Sequence, residues 1–109
     1  MNPKNRSLIE KLTQLTLSGK LSWQETSSMN EYIMELDSAS FMISQENNRS
    51  ISLVMLNNGD NRRLLAKENP ESFDFYVLND LFNAIQTSIT RDAIILSNVM
   101  VELAKIEGK

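Results

Sequence analysis

The side chains here that could do chemistry are mainly carboxylates and serines. Glu35 with Asp37, Glu68 with Glu71, and Asp74 with Asp80 are spaced closely enough to act as an acid and a base, or to hold Mg²⁺ or Ca²⁺. None of these pairs lies in an EF-hand loop pattern, and each is accounted for as a solvated surface acid. Serines are plentiful, but no Gly-x-Ser-x-Gly elbow surrounds any of them, and a serine base would have to be a lysine. The 109 residues include no histidine and no cysteine. The groups that most often run proton transfer, soft-metal binding and thiol chemistry near neutral pH are therefore missing. Gly19, Gly59 and Gly108 stand alone, so neither a dinucleotide fingerprint nor a phosphate loop exists. The expectation is a non-enzymatic protein without cofactor or catalytic metal.

Contact chemistry has three candidates. Arg62 and Arg63, with Lys67 four residues on and Arg49 across a sheet, form the one local basic feature. Asp60, Glu68 and Glu71 dilute it, and the nearby Phe73, Phe75 and Tyr76 are committed to a helix start. A solvated hairpin rim is favoured over an acidic protein partner, and that over nucleic acid. The net charge of −3, from 14 acids against 11 bases, also disfavours nucleic acid. Trp23, the sole tryptophan, seals a helix-to-sheet edge or anchors a partner. Ile94 and Val101 lie seven residues apart, opposite the main apolar stripe of their helix, and mark a second buried face. That face would be covered by the domain itself, by a second copy or by a partner helix.

These residues need a frame. Leu8, Leu12 and Leu15 predict a helix over about 3–18, with Asn2 or Asn5 as cap, Pro3 in its first turn and Gly19 at its exit. Alternation through Tyr32, Met34 and Leu36, then Phe41 and Ile43, then Ile51, Leu53 and Met55 predicts three strands. Asn58-Gly59 is the strongest turn signal, and a short fourth strand would run from Arg62 to Leu65. Leu78, Leu81, Phe82, Ile85, Ile89, Leu96, Val99 and Leu103 share one side of a long last helix. Asp92 would fall on that stripe. The helix is either continuous, with Asp92 near solvent or paired, or broken near Thr90 with Asp92 in a new first turn.

The chain is therefore expected to be a single α+β domain over 1–109. An N-terminal helix and a long C-terminal helix would pack on one face of a three- or four-stranded antiparallel meander. The expected core is Leu8, Leu12, Leu15, Phe41, Ile43, Leu53, Leu78, Leu81, Phe82, Ile85, Leu96 and Leu103. With no secretory apolar stretch at the start, no run near the roughly 18 apolar residues of a membrane span, and no disulfides, a cytoplasmic protein is expected.

The motif Leu17-Ser18-Gly19-Lys20-Leu21-Ser22-Trp23, the run Tyr32-Ile33-Met34-Glu35-Leu36, and the segment from Tyr76 through Leu81-Phe82 to Ile85 together resemble a group of small uncharacterised bacterial and mobile-element proteins. Their pattern is a leucine helix, a Gly-Lys-x-x-Trp exit, a short meander and a long last helix. The resemblance implies a small binding or regulatory protein, immunity-like or accessory to a mobile element, and carries over no catalytic residue. Two functions follow as expectations. One is a protein-binding module that covers a partner surface through Ile94, Val101, Arg62, Arg63 and Trp23, or pairs with its own copy. The other is a small-ligand or nucleotide sensor whose pocket, made at a dimer interface, is lined by Trp23, Tyr32, Arg62 or Arg63.

Overall fold

A computed structural model describes residues 1–57 and 61–108. Helix α1 spans Pro3–Leu17. The Asn2 side chain accepts from the Lys4 amide at 2.7 Å, and Pro3 occupies a position where no amide is needed. The helix ends where Gly19 turns to φ +77°, a left-handed angle that costs glycine nothing. The amides of Gly19 and Lys20 then close on the carbonyls of Thr16 (3.1 Å) and Leu15 (2.9 Å), the paired bonds of a Schellman ending.

The strands follow in a single meander: β1 (Gln24–Glu25), β2 (Glu31–Glu35), β3 (Ala39–Gln45), β4 (Ile51–Asn57) and β5 (Arg62–Glu68), all antiparallel in spatial order β1-β2-β3-β4-β5. The count is five rather than three or four. The two-residue β1 is too short for an alternation to show, and β5 runs past Leu65 to Glu68. Asn58-Gly59, the expected turn, lies outside the described residues; on either side of it the Asn57 amide bonds to the Asn61 carbonyl at 2.9 Å. Leu53 pairs with Ala66 while Val54 pairs with Leu64, so Leu65 is an extra residue in β5, and Leu65 and Ala66 are both buried.

Helix α2 spans Phe75–Glu107 without a break. Asp92 is exposed, so its charge stays in water and no second cap at Thr90 is required. α1 runs beside the first part of α2 in the same direction. Arg6 stacks on Tyr76 at 5.4 Å and pairs with Asp74 at 3.3 Å, while the Met1 ammonium binds the other Asp74 oxygen at 2.9 Å. Asp74 occupies the cap position of α2 and gives its carboxylate to α1 instead of to its own helix.

The core fills the space between this helix pair and one face of the sheet. Ile9 and Leu12 from α1, Val77, Leu78, Leu81, Phe82 and Ile85 from α2, and Tyr32, Met34, Phe41, Ile43, Ile51 and Leu53 from the strands form a single cluster. Tyr32 meets Phe82 edge to face at 5.6 Å between ring centres. Leu8 and Leu15 are half-buried at the rim rather than central, because Ile9 and Thr16 take the inward positions of α1. Leu96 and Leu103 are not core at all, being 63% and 51% exposed.

Replacing Phe82 by Ala should cost about 3–5 kcal/mol in chemical denaturation, the range for deleting a buried aromatic; a loss below about 1 kcal/mol would remove Phe82 from the core. The Asp74 hydrogen bond and charge raise the pKa of the Met1 ammonium above its ordinary value. A raised pKa in the folded state means that the pair contributes fully below the ordinary α-amino range and is lost as pH rises through the folded value. For a chain that begins at Met1, the melting-temperature advantage over Asp74→Asn should shrink between about pH 7 and about pH 10. It should not vanish, since Arg6 remains charged.

Candidate interaction surface

Strand parity separates two of the sequence candidates, Arg62 and Arg63. Consecutive residues of a strand point to opposite faces. Arg62 pairs with Leu56 on the sheet face away from the helices, whereas Arg63 pairs with Met55 on the helix side. The two arginines are exposed at the same end of β5 but do not make one patch. Arg49 lies at the other end of β4, in the β3–β4 turn at φ +71°, and Lys67 is taken by Glu46 at 3.1 Å. The basic feature is therefore dispersed.

Trp23 is 6% exposed, and its indole N–H donates to Thr16 Oγ1 at 2.9 Å; that hydroxyl in turn donates to the Leu12 carbonyl at 2.7 Å. The ring is a seal on the end of α1, not a free anchor, because its one polar atom is satisfied inside the protein. Tyr32 is likewise buried against Phe82. Tyr32 on β2 faces the helices while Arg62 faces away, and Arg63, though on the helix side, stands three strands off on β5, so neither arginine lines a common pocket with Tyr32. Among the described residues, no cluster of three or more acidic side chains is placed to hold a metal ion.

What the fold leaves open is the second half of α2. From Thr90 to Gly108 every residue is exposed. At about 1.5 Å per residue α2 is roughly 50 Å long and α1 only about 22 Å, so the body can cover no more than its first half. The molecule extends 58 × 33 × 25 Å accordingly. Ile94 and Val101, 56% and 55% exposed, lie on this free segment. They share it with Ile95, Leu96, Val99, Met100, Leu103 and Ile106, also exposed and on the far side of the helix from them.

Of these, Leu96 and Leu103 are expected in the core because their stripe, with Val99, reads as continuous with that of Leu78 to Ile89. The spacing held a finer signal. Leu78, Phe82, Ile85, Ile89, Asp92, Leu96, Val99, Leu103 and Ile106 follow one another at alternating steps of four and three, the repeat of a coiled-coil seam. The seam's first half closes on the body; its second half, past Asp92, has nothing opposite it. No helix among the described residues is long and apolar enough to cross a membrane. No protein-family model, curated protein or solved structure matches the chain.

Leu96→Gln and Leu103→Gln, measured by denaturation at high dilution, should each change stability by no more than about 0.5 kcal/mol, as befits surface positions. A loss of 2 kcal/mol or more, of the kind that buried leucines show, would mean that the body covers this segment after all.

Proposed function

We propose that this chain is a non-enzymatic protein-binding module, acting in the cytoplasm, that grips a partner with the free half of α2. The observation that carries the proposal is the run of exposed aliphatic side chains between Ile94 and Ile106 on a helix that has left its own domain. Isolated surface aliphatics are ordinary, but a contiguous set at seam spacing is the pattern of a helix that packs against another chain. Leu96, Val99, Leu103 and Ile106 on the seam, with Ile95 and Met100 beside it, each worth about 1.5–3 kcal/mol on full burial at about 25 cal/mol per Å², present apolar area on the order of 500 Å². That is near the upper limit of the largest patch an ordinary monomer leaves in water, about 300–600 Å². Ile94 and Val101 extend apolar surface to the opposite side, so the segment suits burial by more than one neighbour. The resemblance of the sequence to small bacterial and mobile-element proteins would imply an immunity-like or accessory role of the same kind.

The double variant Leu96→Asp with Leu103→Asp should keep the circular dichroism and melting of the wild type at high dilution, yet lose whatever association the wild type shows, in pure solution or in extract of its host. Unchanged association would place the contact surface elsewhere, on the sheet or the body.

A further inference from the structure

We infer that the free half of α2 is occupied by a second copy of this chain, its helix lying antiparallel across the first. This rests on the protein-binding proposal above and names the partner. Three observations select a copy, and the antiparallel sense.

The first is charge. Arg91 and Glu102 are eleven residues apart, so at 3.6 residues per turn they lie within about 20° of each other, on one flank of the seam beside Ile95. Neither takes an ion pair among the described residues. In a two-fold antiparallel pair the same flank of each helix faces its copy, so Arg91 meets Glu102 of the other helix and Glu102 meets Arg91. A parallel pair would instead turn this flank toward the opposite flank of the copy, around Ala93 and Met100, leaving Arg91 and Glu102 without partners and setting Asp92 against Asp92 in the seam.

The second is length. The exposed stretch of α2 runs from Thr90 to Glu107, with its midpoint at residues 98–99. The ion pairs put the two-fold axis at residues 96–97, about half a turn away. In this register Leu96 faces Val99 of the copy, so the seam positions interdigitate, and each helix tip ends near the other's body. The stretch from Thr90 to Leu103 is covered, and the last turn of each helix reaches the level of Gln86 to Ile89, at the edge of the other body. Asp92 lies in the first turn of the exposed stretch, toward the end of the pair, where water reaches it.

The third is area. Two stripes on the order of 500 Å² each, together with their flanks, approach the roughly 1,200 Å² at which specific interfaces begin. The two-fold axis makes one helix supply both halves. The expected dimer is therefore modest in size and dissociates on dilution.

Light scattering over a concentration series, together with single cysteine substitutions in this cysteine-free chain, tests the inference. The wild type should pass from monomer to dimer with rising concentration. The Leu96→Cys variant, beside the axis, should oxidise to a disulfide-linked dimer, while the Ile106→Cys variant, held about 28 Å from its copy, should not. Arg91→Glu or Glu102→Arg alone should weaken the dimer about tenfold, and the two together should restore it. Linkage through Ile106→Cys in place of Leu96→Cys, or a wild type that stays monomeric to about 1 mM, overturns the inference. If that monomer still captures another host protein, and loses it in the Leu96→Asp, Leu103→Asp variant, the binding-module proposal stands and only the second copy falls. A dimer that survives the same double variant overturns both.

Discussion

Everything distinctive about this molecule follows from a mismatch of lengths. A 33-residue helix lies against a body that has only a 15-residue helix and strands of two to seven residues to offer it. Strands of that size are at most about 23 Å long, and the first helix is about 22 Å. A helix of roughly 50 Å must therefore leave the body halfway. Because its apolar repeat continues past that point without changing phase, the side chains built to be buried are carried into water. The fold thus has a finished half and an unfinished one, joined by an unbroken helical backbone.

The finished half owes its geometry to a few polar contacts at its two ends. At one end the Asp74 carboxylate gathers Arg6 and the Met1 ammonium, fixing where α1 starts relative to α2. At the other, the Thr16 hydroxyl passes a hydrogen bond from the Trp23 indole to the α1 backbone, just where Gly19 turns the chain toward the sheet. Between these ends the packing is almost entirely apolar. Thr16 and Ser50 are the only buried polar residues among those described, and no buried side-chain polar atom among them lacks a partner. A body so fully satisfied has little reason to rearrange when the free helix is engaged.

Much of this was legible in the sequence, and what was not has identifiable causes. Asn2, Pro3 and Gly19 each act through local backbone chemistry, so the limits of α1 could be read from them. Phe41 and Ile43 alternate with half-buried Met42 and Ser44, and Ile51 and Leu53 with half-buried Ser52, so the strands and their inward face were visible too. β1 was hidden because two residues cannot display a period, and the parity of Arg62 and Arg63 was overlooked because adjacent charges look like a patch until a strand separates them. The exposure of Leu96 and Leu103 is a different kind of miss. An apolar stripe tells which side of a helix is buried but not by whom, and their own domain was the nearest claimant. The four-three spacing of the stripe, and the unequal lengths of the two helices, were the signals that pointed beyond it.

The sheet offers a useful contrast, since it too has an uncovered face. Ile33, Met42, Val54 and Leu64 pair across four strands on the side away from the helices, a row of apolar side chains with no layer above them. Yet that row is one residue wide along each strand. It is flanked by Ser44, Ser52 and Lys67 on one side and by Glu35, Ser40 and Arg62 on the other, with Leu56 the one apolar neighbour, and Val54 is already buried by its surroundings. The edges are guarded as well. β1 is too short to template another strand, and β5 carries Arg62, Arg63, Lys67 and a bulge, the devices by which sheets resist edge-to-edge pairing. No such protection exists along α2 between Ile94 and Ile106, where Ser97, Asn98, Glu102 and Lys105 sit off the seam and leave it unbroken. The chain dilutes one apolar surface and leaves another intact, a contrast that accords with the binding role proposed for the second.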